Sequence, residues 1–172
     1  MWAADHVRDF LARLQRRTCG RCGQSDVSEG KETFRYEACG MSSVTRVDAI
    51  IRHCLVCKQS DQVLERVPQL HEAIALGLVG KRALLDASEI DYLSRWFDND
   101  LAAIMGVKAS TLTAWRSGAE AMDVVSDRLL RVLIARQAGF AFSLNELRLI
   151  KPEPRSPMPL TFKYESGRWQ LC

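Results

Sequence analysis

The sequence predicts an α+β chain, with a small β-rich N-terminal domain followed by an all-α C-terminal domain. Three observations predict it. Two C-x-x-C pairs, Cys19/Cys22 and Cys54/Cys57, bracket a stretch where apolar and polar residues alternate. From Leu70 onward, apolar residues recur at helical spacing in a string of short segments. Four of the five prolines, Pro152, Pro154, Pro157 and Pro159, then set off a tail that cannot be helix. The expected divisions are 1–18, 19–68, 69–150 and 151–172.

Composition agrees with a folded protein. Of 172 residues, 47% are apolar and 26% charged, which excludes disorder over most of the length. No apolar run approaches the ~18–20 residues of a membrane helix. Asp5, Asp9 and several Arg break up the N-terminus, unlike a signal peptide, so no membrane partner and a cytoplasmic location are expected. In that setting six cysteines point to metal before disulfides. Net charge is +3, and no segment forms a strong basic tail, so a nucleic-acid partner must be argued from a motif.

The first division, 1–18, predicts an amphipathic helix, with Trp2, Val7, Phe10, Leu11 and Leu14 recurring over 2–17. Short strands are expected around Thr33–Glu37 and Val44–Val47. Pro68 marks a break, and Leu70, Ile74 and Leu78 then share a helical face. Ser88 is the expected N-cap of the next helix, ahead of Ile90, Leu93 and Phe97. Further helices are expected near Asn99–Met105, Ala109–Arg116 and Asp123–Gln137. In the tail, Leu160–Tyr164 and Arg168–Leu171 flank Glu165-Ser166-Gly167 as a hairpin would.

Each C-x-x-C pair presents two thiolates from one tight turn. Cys19, Cys22, Cys54 and Cys57 together supply the four sulfurs of a closed tetrahedral site with no position left for water or substrate. The expected cofactor is one structural Zn²⁺ per chain. A redox dithiol would need a thioredoxin-like βαβ context, which the flanking sequence lacks. Cys39 and Cys172 have no partner at ligand spacing, and His6 and His71 stand alone in the sequence.

Residues 99–118 follow helix–turn–helix logic. Leu101, Ile104 and Met105 are the expected buried positions of the first helix, Gly106 supplies a left-handed turn and Val107 fills the corner. At about 100° per residue, Leu112 and Trp115 face the core. Ser110, Thr113, Ala114 and Ser117 then point outward. Such a face of short side chains suits entry into the major groove, where Ser110 and Thr113 can bond base edges and Ala114 can meet a thymine methyl. Lys108, Thr111 and Arg116 flank it, where phosphates would lie. No acid occurs between residues 101 and 119.

The following helix is apolar on most sides, leaving a narrow polar stripe at Arg128, Arg131 and Gln137. One side is expected to pack on the domain. Another, with Val125, Leu129, Val132 and Leu133, is expected to meet a second copy. A homodimer would set two recognition helices about one DNA turn apart on a palindromic operator.

Together these features resemble the MqsA (YgiT)-type antitoxin family of bacterial toxin–antitoxin systems. The resemblance runs from about Cys19 to Ala138. It is carried by Cys19-Gly20-Arg21-Cys22-Gly23, Phe34 to Met41, Cys54-Leu55-Val56-Cys57, Val67-Pro68, Leu70-His71, Gly106-Val107, Thr111 to Trp115, and Asp127 to Arg131. It implies a zinc-bound N-terminal domain that can hold a cognate toxin protein. It also implies an Xre-like helix–turn–helix domain that dimerises and represses its own operon. Cys39-Gly40 matches a family position that is not a ligand. Family recognition helices commonly carry Arg where this chain has Ala114, and Glu where it has Arg116, so a different base preference is expected.

The leading expectation is a zinc-containing, dimeric repressor that binds duplex DNA, an antitoxin or antitoxin-like regulator. The alternative is a protein-interaction module whose zinc domain binds a partner while the helical domain serves to dimerise. An enzyme is not expected: there is no Ser/His/Asp set, no H-E-x-x-H and no phosphate-binding glycine loop.

Overall fold

The computed structural model describes residues 18–41, 45–97, 100–141, 143–151 and 159–172. The helix expected at 2–17, the helix start at Asn99 and the prolines at 152, 154 and 157 lie outside the described residues. The chain is α+β with a mixed sheet. Its contacts form two compact units: residues 18–34 with Asp48–Glu65, and Arg35–Val47 with Arg66–Cys172. Residues 35–47 thus belong with the helical part of the chain. No helix among the described residues is long and apolar enough to cross a membrane.

The first unit is a small β structure. Strand β1 spans Val27–Arg35, β2 spans Thr45–Cys54 and β3 spans Ser60–Val63. β2 lies between β1 and β3, and pairs with β3 antiparallel from Ile50↔Val63 to His53↔Ser60. Ala49, Ile51 and Cys54 are buried, whereas β1 is exposed along most of its length. The apolar core is therefore thin, and the strands are also tied by polar pairs, Thr33 to Asp48 and Arg52 to Glu29. A domain this small needs a further staple.

Among the described residues the second unit holds six α-helices. They are α1 (Val67–Val79), α2 (Ala87–Ser94), α3 (Leu101–Met105), α4 (Ala109–Ser117), α5 (Val124–Gln137) and α6 (Leu144–Arg148). Pro68 sits in the first turn of α1, where its missing N–H has no helical partner to lose. Leu70, Ile74 and Leu78 are fully buried. Strands β4 (Leu160–Glu165) and β5 (Arg168–Leu171) form a hairpin, turning through Ser166 and Gly167, both at positive φ. Such a two-residue turn matches the twist of paired strands. The beginning of β2 runs parallel to β4, from Thr45↔Leu160 to Val47↔Phe162. Phe162 and Leu160 pack over Gly77 of α1, 3.4 and 3.6 Å from where its Cβ would stand.

Three local expectations change. Ser88 is not the N-cap of α2. Asp86 is, through a capping box with Glu89, because its carboxylate reaches the Glu89 amide at 3.0 Å. Ile104 is exposed, since Leu101 and Met105, one turn apart, occupy the inner side of the short α3 and leave Ile104 beside it. Arg131 is not on a polar stripe. It belongs to the buried line Asp127, Leu130, Arg131, Ile134 and Ala135 of α5. Its guanidinium meets Asp127 at 2.7 Å and donates to the carbonyls of Leu78, Val79, Lys81 and Ala83, closing the C-terminal end of α1.

Candidate functional site

The four paired cysteines converge within the first unit. Their sulfurs all lie within 4.8 Å of one another. Cys19 to Cys57 and Cys22 to Cys54 are each 3.6 Å apart. That is far beyond the ~2.05 Å of a disulfide. It is close to the roughly 3.8 Å edge of a sulfur tetrahedron around a metal at about 2.3 Å. The four thiols are positioned to hold a metal ion.

The two turns repeat one another atom for atom along the backbone. Cys19 N–H donates to Gln24 O and Gly23 N–H returns to Cys19 O. In the second turn Cys54 N–H donates to Gln59 O and Lys58 N–H returns to Cys54 O. Both turns also aim an amide at sulfur, Arg21 N–H at Cys19 Sγ and Cys57 N–H at Cys54 Sγ. The fourth residue after each leading cysteine is left-handed, Gly23 at φ 72° and Lys58 at φ 60°. Glycine takes that conformation freely; lysine is strained in it. A glycine at the first position marks such a turn in the sequence; a lysine at the second does not.

The amides shape the thiols unequally. The Cys22 and Arg21 amides draw the Cys19 thiol down to about 7. Cys57 feels the Gln59 amide, but burial and the three neighbouring thiols push it up to about 12. The Cys57 amide also lowers Cys54, while Cys22 is raised, against its Gln24 hydrogen bond, by burial and the Cys54 and Cys19 thiols. Four thiols this close cannot all ionise without a cation among them. A bound dication removes that conflict, because a coordinating thiol is deprotonated outright.

In the second unit, α3 and α4 are joined by a tight turn. Gly106 is left-handed at φ 69°, and Val107 N–H closes on Ala102 O. Leu112 and Trp115 bury the inner side of α4. Lys108, Ser110, Thr113, Arg116 and Ser117 are exposed, and Thr111 and Ala114 half-buried. Thr113 Oγ1 donates to Ala109 O at 3.0 Å, and Ser117 Oγ donates to Ala114 O at 3.1 Å. With its hydrogen turned inward, each hydroxyl keeps acceptor capacity, though Ser117 Oγ also accepts from Ala119 N–H at 3.4 Å. The start of α4 has no side-chain cap.

Arg116 does not hang free. It is paired with Asp91 of α2, which also holds Arg95. Neither Asp91 nor Arg95 stood out in the sequence, because their meeting with Arg116 is a fold-level event. On α5, Val125 and Leu129 are exposed, one turn apart, with Val132 and Leu133 half-buried beside them. His71 lies between two tyrosines, its Nε2 2.9 Å from Tyr36 Oη and its Nδ1 2.9 Å from Tyr92 Oη.

Comparison with known proteins adds no relative: no family model, no curated protein and no solved structure matches the chain.

Proposed function

We propose that the chain is a zinc-containing, dimeric, sequence-specific DNA-binding repressor that acts as an antitoxin or antitoxin-like regulator. In this reading α3 and α4 are a helix–turn–helix and α4 is the recognition helix. Ser110, Thr113, Ala114 and Ser117 meet base edges, while Lys108, Thr111 and Arg116 meet phosphates. The observation that carries the reading is the open side of α4. Its exposed residues are short or cationic, and its hydroxyls present acceptors that match the amino groups of adenine and cytosine. The uncapped start of α4 leaves backbone N–H groups for a phosphate. Zinc is the metal that a closed set of four thiolates favours, and it would knit a unit whose apolar core is thin.

The test is selection of duplexes from a random-sequence pool by the purified chain. Enrichment of a two-fold symmetric motif is the expected result. A bound fraction with the composition of the starting pool, at moderate salt, refutes the reading. Thr113→Ala should change preference at one position of each half-site, whereas Arg116→Ala should weaken all sequences about equally.

One observation favours the second reading, a protein-interaction module. Leu55 and Val56, between Cys54 and Cys57, are about half exposed, an apolar tip on the first unit. Co-purification of a neighbouring gene's product, lost on Val56→Asp and unaccompanied by any selected DNA motif, would establish it.

A further inference from the structure

Asp91 stands between two guanidiniums. Arg116 Nε donates to its Oδ1 at 2.7 Å, and Arg116 Nη2 lies 2.7 Å from the same oxygen. Arg95 Nη2 donates to Oδ2 at 2.6 Å. Two guanidiniums, from the turn after α2 and from α4, thus share the one carboxylate of α2, with a net single positive charge. About half of each arginine side chain remains open to solvent, 53% for Arg95 and 43% for Arg116. A guanidinium carries five N–H donors, and Asp91 takes only part of each set. Arg95 also lies beside the Gly40 turn, where a Cβ would stand 3.4 Å from its Nη2.

An isolated exposed ion pair contributes little to stability. A carboxylate shared by two forks does something different. It removes rotamer freedom from both and leaves their outer donors available together. A phosphate, with several acceptor oxygens, is the ligand that two adjacent forks fit. Arg116 also lies beside Thr113 on the flank of the open side of α4, in a stretch without acids from 101 to 119.

We propose that Arg95 and Arg116 form a preorganised clamp for one backbone phosphate of duplex DNA, with Asp91 as the residue that positions them. The clamp rests on the DNA-binding reading above, and it adds two residues to that interface. Burial works to raise the Asp91 carboxyl, but both arginines outweigh it and hold it below the usual carboxylate range, so the positioning charge persists at neutral pH.

The experiment is fluorescence anisotropy with the full chain, using the duplex recovered by selection and a scrambled duplex, across a series of salt concentrations. Arg95→Ala should weaken both duplexes by a similar factor, about 3–10-fold, and reduce the slope of log affinity against log salt by about one. Asp91→Asn adds positive charge, yet should weaken both by about 3-fold because the forks are no longer aligned. Melting temperatures measured alongside separate loss of fold from loss of contact. If Arg95→Ala melts early, Arg95→Lys, which keeps the charge without the fork, should keep the salt slope and still lose affinity. Wild-type affinity and slope in Arg95→Ala overturn the clamp, as does tighter binding by Asp91→Asn, which would make the carboxylate a mask. A wild-type chain that enriches no duplex sinks the DNA-binding reading instead.

Discussion

Asp127 and Arg131 lie one turn apart on α5, joined at 2.7 Å, and both are shut off from solvent. Asp127 Oδ2 also accepts from the Leu85 amide at 2.8 Å. The pair therefore clasps the end of α1, the 80–85 segment and α5. Arg131→Met should destabilise the second unit by about 3–5 kcal/mol, because it strands a buried carboxylate and several carbonyls. Arg131→Lys should not restore it, lacking the fork. Urea titration followed by circular dichroism reads both, and a loss below about 1 kcal/mol for the methionine variant would refute this role.

Metal removal should act on one unit. Purified chain should carry one zinc, and Cys57→Ser should drop it below stoichiometry. Chelation under reducing conditions should abolish amide protection over 48–63 and spare α1 and α5, since each unit has its own contacts. Acid should release the metal as thiolates take up protons. Hydrogen exchange with metal analysis measures both. Full protection of β2 and β3 in metal-free protein would contradict the expectation.

Lys58→Gly should stabilise the metal-loaded protein. The position is left-handed at φ 60°, where its counterpart is Gly23. Relief of strain exceeds the extra chain entropy of glycine by about 0.5–1 kcal/mol. A raised thermal midpoint is the expected result; the reverse substitution, Gly23→Lys, should lower it.

Val125 is 75% exposed and Leu129 lies one turn on. If this side of α5 pairs two copies, Val125→Glu should convert a dimer to a monomer without loss of helix content. Light scattering with size exclusion decides it, and an unchanged dimer removes this face from consideration.

His71 makes stability depend on pH. Tyr92 Oη donates to His71 O at 3.1 Å, so it accepts from Nδ1–H, and Nε2 accepts from Tyr36 Oη. Only the neutral ring fits. Burial, with Arg95 adding to it, lowers the His71 pKa. The unfolded chain therefore binds its proton first as pH falls below about 6.5, and stability is lost from there down through the folded value. The difference between wild type and His71→Gln, from denaturation at several pH values, should shrink over that window. A constant difference would refute the assignment.

The cysteine pairs, the helix faces and the Ser166-Gly167 turn were legible because each depends on residues a few positions apart. Spacing brings two thiolates to one turn, puts Leu70, Ile74 and Leu78 on one line, and turns Leu112 and Trp115 away from Thr113. The limit shows at Ile104, Arg131 and His71. Periodicity assigned Ile104 inward and Arg131 outward, and it left His71 alone. Each of these is decided by chain far away in sequence: Arg131 by carbonyls about fifty residues earlier, His71 by Tyr36 and Tyr92, Arg116 by Asp91.

Local order thus follows from short-range geometry, which repeats with a fixed period and can be counted along the chain. Which polar groups are buried, and which cations are held rather than free, follows from desolvation, and desolvation exists only once distant segments have closed over a side chain. The cysteine cluster belongs to both classes. Its members are written in the spacing of each pair, and their meeting within 4.8 Å needs β1 beside β2, with Leu55 N–H donating to Asp26 O between the two turns.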